Sequence, residues 1–192
     1  MSLVRYYAAA TLDGYIAESD DTLDWLLKYE GEFEGADSDE SQAGYEGFYE
    51  GIGALVMGSV TYEWVLEHVG RWPYAGKPTW VLSTRELDRA DGDDVDVRVV
   101  DAQLPDLIDE MVAAAGDQDL WIVGGGNVAS QFADHGLLDR LEVTVIPVVL
   151  GEGKPLFARR LPGGSMQLLG VRTFSSGMIG LTYELRQRGG RS

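Results

Sequence analysis

The chain has 192 residues, 45% of them hydrophobic and 24% charged, which is typical of a globular protein and sufficient for one domain over residues 1–192. Its formal net charge of −17 argues against binding to nucleic acid, because such binding depends on Lys and Arg side chains that neutralise phosphates. The lack of cysteine excludes disulfides and thiolate chemistry, and two histidines are too few for a histidine-rich metal site, so we expect no bound metal.

No apolar run approaches the length of a membrane span. The first residues, MSLVRYYAAATLDGYIA, lack the charged head, long apolar stretch and small-residue cleavage site of a signal peptide. We therefore expect a cytoplasmic protein that does not associate with membranes.

The hydrophobic pattern along the chain predicts strands that alternate with helices. The predicted strands span residues 3–12, 54–58, 79–83, 95–100, 120–124, 141–150, 166–174 and 179–187. The predicted helices span roughly residues 40–52, 60–68, 104–115 and 127–136. In the first helix, Tyr45, Phe48, Tyr49 and Ile52 recur at helical spacing and form one apolar stripe that should face inward.

Alternating strands and helices imply crossover connections and an α/β fold with a largely parallel sheet. The runs ALVMG (54–58) and LWIVG (120–124) are apolar throughout, as in strands that are buried on both faces. The last two predicted strands flank SSGM and indicate an antiparallel hairpin at the C-terminal end. The sheet is therefore predicted to be mixed.

Gly124, Gly125 and Gly126 stand between a predicted buried strand and a predicted helix, in LWIVGGGNVASQF. Glycine loses more backbone entropy on folding than any other residue, so the run needs a reason. Glycines would let an anion reach the unpaired N–H groups at the start of the helix, where Asn127 stands at the expected N-cap. A tight turn without a ligand is the alternative.

Two further strand-to-helix junctions carry polar groups. The first has Gly58, Ser59 and Thr61, and the second has Ser83, Thr84 and Arg85. Helix capping by a hydroxyl and an ordinary surface charge are the alternatives. Because ligands of open α/β sheets bind where strand ends converge, the three junctions together suggest a ligand with several phosphates, such as a dinucleotide.

The segments ATLDGYIA, DWL, ALVMGSVTYEWV, PTWVLSTRE and LWIVGGGNVASQFADHGLLDRLEVTVIPVVLGEGKPLF occur in this order. In this they resemble the dihydrofolate reductase superfamily, and within it the branch that includes the reductase domain of riboflavin biosynthesis and its stand-alone relatives. The resemblance covers nearly the whole chain. It implies a three-layer fold, with helices on both faces of a mixed, mostly parallel sheet, and NADPH bound across the strand ends.

Matched to the family's motifs, the residues implied to bind the cofactor are Ala10, Ile16, Gly58, Ser59, Thr61, Ser83, Thr84, Arg85, Val123, Gly124, Gly125, Gly126, Asn127 and Val128. Thr61 would hold a phosphate through its hydroxyl, and the segment of Arg85 would meet the adenosine 2′-phosphate. Gly124 to Val128 match the diphosphate loop. Ser59 stands where folate reductases often have arginine, so one charge contact to the cofactor is missing.

The resemblance also implies catalytic and substrate-site residues. Asp13 and Gly14 lie in the loop over the nicotinamide, Trp25 matches a tryptophan that lines the pocket, and Thr144 matches a threonine that faces the pterin. A plain turn at Asp13, a core anchor at Trp25 and an ordinary strand residue at Thr144 are the alternatives.

Folate reduction uses an acid on the first helix, and that position falls near Gln42 in this chain. Glu46 is the nearby carboxylate that we assign as a substitute, with Glu40 and Glu50 also close. A solvated helix face is the alternative interpretation of these glutamates.

The resemblance predicts an NADPH-dependent reductase that transfers hydride to a small heterocycle, either pterin- or folate-like or a ribosylated pyrimidine of riboflavin biosynthesis. A catalytically silent nucleotide-binding protein of the same fold is the alternative, and a purely structural domain would bind no dinucleotide. Relatives of this kind often pair, so we expect a homodimer. The apolar run VTVIPVVL (143–150) would form its interface or belong to the core.

Overall fold

Strands and helices alternate along the chain. The computed structural model describes residues 2–29 and 45–185. Its strands are β1 (Val4–Thr11), β2 (Tyr15–Ala17), β3 (Ile52–Gly58), β4 (Thr79–Leu82), β5 (Val97–Val100), β6 (Asp119–Gly124), β7 (Arg140–Ile146), β8 (Lys154–Pro155), β9 (Met166–Thr173) and β10 (Ile179–Leu185). Its helices are α1 (Asp24–Leu27), α2 (Tyr45–Glu50), α3 (Ser59–Val69), α4 (Leu104–Ala115) and α5 (Gly126–Asp134).

The main sheet contains eight strands in the order β5-β4-β3-β6-β1-β7-β10-β9. From β5 to β7 every pair of neighbours is parallel, whereas β10 pairs antiparallel with both β7 and β9. Strands β2 and β8 form a separate small antiparallel sheet. The predicted α/β fold, with a mostly parallel mixed sheet and a C-terminal antiparallel hairpin, is confirmed.

Both faces of the sheet are covered in its central part. Successive side chains of a strand point to opposite faces, and in β3 Ala54 and Val56 join one apolar cluster while Leu55 and Met57 join the other. The first cluster includes residues of α4 and α5, and the second includes residues of α2 and α3. The apolar run of β3 therefore reflects burial on both sides.

The first predicted helix is shorter than its apolar pattern suggests. Helix α2 ends at Glu50, and Ile52 is the first residue of β3, where it pairs with Asp119 of β6. A Cβ at Gly53 would lie 2.1 Å from the carbonyl oxygen of Ala115, so β3 passes directly against the end of α4. Positions 40–44 of the prediction lie outside the described residues.

The predicted strand 141–150 ends early, at Ile146. Pro147 follows and cannot donate a backbone hydrogen bond to a neighbouring strand. Strand β7 lies between β1 and β10, and Val143 and Ile146 are buried. The buried residues of this run therefore belong to the core, and the interface role suggested for VTVIPVVL stays a prediction.

The short elements β2, β8 and α1 were not predicted, and the other predicted elements differ only at their ends. Among the helices in the described ranges, none combines the length and apolar content that a membrane crossing requires.

Candidate cofactor and substrate site

The three polar junctions lie at one edge of the sheet. Strand β3 is parallel to β4 on one side and to β6 on the other. In register, Gly58 pairs with Leu82, and Met57 pairs with Gly124. We call this edge, formed by the carboxyl ends of β3, β4 and β6, the cofactor rim. It brings together the three junctions that the sequence places far apart.

The glycine run allows segments of the chain to approach one another closely. All three glycines lie outside the left-handed region, and the peptide bond between Gly124 and Gly125 is cis. A Cβ at Gly124 would lie 2.9 Å from the Thr61 hydroxyl oxygen, and one at Gly126 would lie 2.1 Å from the Pro155 carbonyl oxygen. Both glycines are therefore required by packing inside the protein.

Gly125 differs from its two neighbours. The nearest atoms to a Cβ at this position are the Ile16 side chain and the Thr61 hydroxyl, both at 3.9 Å. Gly125 thus faces space between two residues that the family resemblance assigns to the cofactor. A ligand group at the rim can reach the backbone here.

Two helices begin at the rim, and each has glycine as its N-cap residue. Helix α3 follows Gly58 and helix α5 follows Gly125. Asn127 therefore lies in the first turn of α5, so the prediction that it occupies the N-cap is wrong, because the helix begins one residue earlier than expected. Glycine has no side chain that could cap the N–H groups of the first turn, which suits these groups to an anion.

Arg85 connects two of the junctions. Its guanidinium donates hydrogen bonds to the Glu63 carboxylate at 3.1 and 2.7 Å and to the Ser59 hydroxyl at 3.1 Å. The Ser83 hydroxyl oxygen accepts the backbone N–H of Arg85 at 3.0 Å, and Thr84 between them is exposed. The hydrogen bond and the charge of Glu63 raise the pKa of Arg85. A 2′-phosphate at this position would meet an arginine that already has an anionic partner.

The remaining predicted cofactor residues lie beside the rim or beneath it. Val128 is buried, with its side chain 3.4 Å from the position of a Cβ at Gly58. Ala10 is buried near the carboxyl end of β1, and Val123 is half-buried in β6. These apolar residues support the rim from inside the fold.

Asp13 holds two loops together. Its carboxylate accepts hydrogen bonds from the Thr11 hydroxyl at 2.6 Å and from the backbone N–H groups of Gly151 at 2.7 Å and Leu150 at 3.3 Å. These hydrogen bonds, with that of Thr11 the largest, lower the pKa of Asp13. The observed contacts are structural, and the catalytic role of Asp13 stays a prediction.

Trp25 and Thr144 are both buried, as residues of a pocket or a core would be. Trp25 is 4% exposed and packs with Ile146, Phe174 and Met178. Its indole Nε1 has no hydrogen-bond acceptor in the described part of the chain. Thr144 lines a cavity of about 370 Å³ on the α2 face of the sheet.

Glu46 is not brought to Thr144. The buried side chain of α2 is Phe48, which stacks on Tyr7 with ring centroids 4.3 Å apart. Residues two positions apart point to different sides of a helix, and Glu46 is exposed. Tyr45, predicted to face inward, is 44% exposed, and its ring packs against Tyr7 and Trp121. The acid position near Gln42, and Glu40, lie outside the described residues.

Sequence reasoning missed most of the cavity that Thr144 lines. Its other residues include Arg5, Tyr7, Arg140, Glu142, Arg172 and Thr182. They come from four strands, so no local pattern joins them. One signal was available: Arg140, Glu142 and Thr144 alternate with apolar residues in β7, which indicates a strand with one polar face.

No cluster of three or more His, Asp or Glu side chains within residues 2–29 and 45–185 is placed to hold a metal ion.

Known proteins resemble this chain in sequence and in fold. The model of the RibD C-terminal domain matches residues 64–179. The chain belongs to this family. It is 32% identical over 168 residues to the uncharacterized protein YwjB of Bacillus subtilis, covering 88% of this chain and 90% of YwjB.

Solved structures show the same fold. A putative riboflavin biosynthesis protein from Shewanella sp. PV-4 superposes with a TM-score of 0.77 and 29% identity, over 97% of this chain and 100% of that one. Dihydrofolate reductase from Enterococcus faecalis, complexed with NADP(H), gives a TM-score of 0.57 and 18% identity, over 96% of this chain and 97% of that one. At 18% identity, the similarity to this dihydrofolate reductase concerns the fold alone.

Proposed function

We propose that this protein is an NADPH-dependent reductase that transfers hydride to a small heterocycle, either pterin- or folate-like or a ribosylated pyrimidine. The observation that carries the proposal is the start of α5 at the rim, where the N-cap residue Gly125 provides no side-chain cap and lies beside Ile16 and Thr61. Membership in the RibD C-terminal domain family supports it. The fold shared with a dihydrofolate reductase that was solved with NADP(H) supports it as well.

The residues of the rim fit such a cofactor. The N–H groups that begin α3 and α5, together with the Thr61 hydroxyl, would hold its diphosphate. Ser83, Thr84 and Arg85 would hold the 2′-phosphate, to which an arginine fork is suited. Ala10 and Ile16 would contact the nicotinamide. When bound, NADPH would supply the hydride, and the protein would supply orientation and exclusion of water.

Thr144 and Trp25 would face the substrate. The Trp25 indole N–H is a buried donor, and a substrate acceptor would satisfy it. Asp13 accepts hydrogen bonds as a carboxylate, and its lowered pKa makes it a poor proton donor at neutral pH. We propose that a bound water delivers the proton that accompanies hydride transfer.

A catalytically silent nucleotide-binding protein is the second candidate. The exposure of Glu46 and the backbone contacts of Asp13 favour it, because neither predicted acid is placed to protonate a substrate. Both candidates bind NADPH, and only the first consumes it.

The test is a titration of NADPH into the protein, followed by nicotinamide fluorescence and by energy transfer from its five tryptophans. We expect saturable binding that Gly125→Val weakens by at least about tenfold, because the valine side chain fills the space beside Thr61. Gly163→Val is the matched control, since Gly163 is exposed with nothing within 4 Å of its Cβ position.

Absence of binding at millimolar NADPH would overturn both candidates. Once binding is seen, dihydrofolate and ribosylaminopyrimidines are screened by the loss of NADPH absorbance. Turnover supports the reductase, whereas binding without turnover of any of these compounds supports the silent protein.

A further inference from the structure

The cavity at Thr144 is built on four adjacent strands, β1, β7, β10 and β9. Strand register places its residues in rows across the sheet. Tyr7, Glu142, Thr182 and Gly170 form one row. Thr144, Gly180 and Arg172 form part of the next. Side chains in a row share one face of the sheet, which here is the face that carries Phe48 of α2.

Glycines give the cavity its floor. Gly170 and Gly180 have no side chains to fill it. A Cβ at Gly180 would lie 3.5 Å from both the Cβ and the Nε of Arg172, so this arginine lies across β10 at that point. Burial raises the pKa of Tyr7, and the charge of Arg172 opposes that effect. The Arg172 guanidinium therefore reaches toward the Tyr7 hydroxyl.

The carboxylate of the cavity already has a cationic partner. Arg5 donates to Glu142 from Nε at 2.9 Å and from Nη2 at 2.6 Å, and it also contacts Asp119 at 3.2 Å. Side chains in both ion pairs are only 14–21% exposed. Arg5 thus pairs with two carboxylates, and Arg140 and Arg172 are the other cations that line the cavity.

Unlike Arg5, Arg140 has a side-chain donor without an acceptor in the described residues. Its Nε is buried and has no hydrogen-bond acceptor in the part of the chain that the structure describes. Its cross-strand neighbours are Arg5, which is also a cation, and Glu184, which is exposed and forms no ion pair with Arg140 within the described residues. A buried donor of a charged group is costly to leave without an acceptor. The missing partner would be an anion in the cavity.

We propose that this cavity binds the oxyanion of a small-molecule ligand, a phosphate or a carboxylate. Arg140 would be its principal ligand. Arg172 would supply a second positive charge, and the hydroxyls of Thr144 and Thr182 would donate hydrogen bonds. Planar guanidinium groups bind such oxyanions through paired hydrogen bonds. A cavity of about 370 Å³ has room for a group of that size.

This site is separate from the cofactor rim. Arg5 and Arg140 stand near the amino ends of β1 and β7, whereas the rim is formed by the carboxyl ends of β3, β4 and β6. This site shares Thr144 with the proposed substrate site, but binding of an anion by Arg140 requires no hydride transfer, so the proposal does not rest on the reductase function. It is tested without NADPH, so failure of either proposal leaves the other standing.

The experiment is isothermal titration calorimetry with inorganic phosphate, and in parallel with acetate, at constant ionic strength. We expect saturable binding of one of these anions, weakened by at least about tenfold in Arg140→Gln. A matched control should bind as the original protein does. Arg71→Gln removes an arginine whose side chain is 72% exposed and which pairs with Asp93. A further variant, Arg85→Gln, removes the arginine of the rim and reports any anion that binds there instead.

Phosphate binding alone identifies a phosphate ligand, and acetate binding identifies a carboxylate ligand. Saturable binding of neither anion overturns the proposal. So does binding that Arg85→Gln abolishes and Arg140→Gln leaves intact, because the anion would then occupy the rim. If circular dichroism shows that Arg140→Gln is unfolded, the proposal is tested instead by NMR, on the Nε–H resonance of Arg140 in the unaltered protein. This resonance must shift on titration for the proposal to stand.

Discussion

At the scale of single residues, the three consecutive glycines at positions 124–126 have different structural roles. Gly126 faces a backbone carbonyl of the loop that carries β8, Gly124 faces the Thr61 side chain, and the Cβ position of Gly125 has only ordinary van der Waals neighbours at 3.9 Å. A backbone carbonyl cannot move aside as a side chain can. The sequence shows three equivalent positions, and only the packing around them separates their roles.

We predict that Gly126→Ala destabilises the protein by about 1–3 kcal/mol or more, the usual effect of overpacking, because its Cβ would overlap the Pro155 carbonyl. Gly125→Ala is the matched control, with contacts of 3.9 Å, and should cost much less. Urea denaturation of both variants measures the free energies of unfolding. Equal losses would show that the overlap at Gly126 is relieved by movement of the loop.

Glu63 should weaken the binding of NADPH. It already occupies the Arg85 guanidinium, which the 2′-phosphate would need. Glu63→Gln should therefore strengthen NADPH binding roughly two- to fivefold, the range for an exposed ion pair, and leave NADH binding unchanged. Glu67→Gln, an exposed change of the same charge on the same helix, is the control. If both variants respond alike, the effect is one of net charge and the pairing is irrelevant.

At the scale of elements, contacts between loops position the strand ends. Asp13 follows β1, and it accepts N–H groups of Leu150 and Gly151 in the loop after β7. Sequence reasoning identified Asp13-Gly14 as a turn, which agrees with the positive φ of Gly14. The partner loop could not be predicted, because it is 138 positions away along the chain.

The Asp13 contact predicts a pH dependence. Because the pKa of Asp13 is lower in the folded protein, its contribution to stability is present above the unfolded value and disappears as pH falls through the folded value, below 3.8. Asp13→Asn should thus be less stable than the original protein at neutral pH, and the difference should shrink below about pH 4. Asp109→Asn, exposed on α4, controls for the loss of one charge. A difference between Asp13→Asn and the original protein that does not change with pH would contradict the prediction. Denaturant unfolding across the pH range gives the result.

At the scale of the whole molecule, charge of one sign dominates. A net charge of −17 on 192 residues produces self-repulsion that salt screens. Raising sodium chloride from about 0.01 to 1 M shortens the Debye length from about 30 to 3 Å, so the thermal midpoint should rise. Potassium chloride should act equally, because screening depends on ionic strength. A flat or falling midpoint in a melting series would contradict this expectation.

The expected homodimer remains a prediction. We propose that it forms through β9, which pairs with β10 alone in the described structure and so offers a free edge. Four large apolar side chains of β9 are 39–50% exposed, namely Met166, Leu168, Leu169 and Val171. Leu168→Lys should shift sedimentation from dimer to monomer, whereas Val149→Lys, an exposed change in the loop after β7, should not. A monomeric parent protein would refute the homodimer.

By itself, the sequence determined the order of the longer strands and helices in the described regions, the parallel character of the sheet and the three polar junctions. Helix α4 was predicted with its observed bounds, because Pro105 and Gly116 mark its ends and its apolar residues recur at one spacing. Hydrophobic periodicity and the positions of glycine and proline are local properties, so they can be seen in a single sequence.

Only the tertiary structure decided which side chains meet. Arg5 and Glu142, 137 positions apart, form an ion pair, and Arg140 lies in the same cavity with its buried Nε lacking an acceptor among the described residues. It also decided that Gly126 must be glycine and that Glu46 faces solvent. Strand register and close approach depend on segments that are distant along the chain, and no local pattern carries that information.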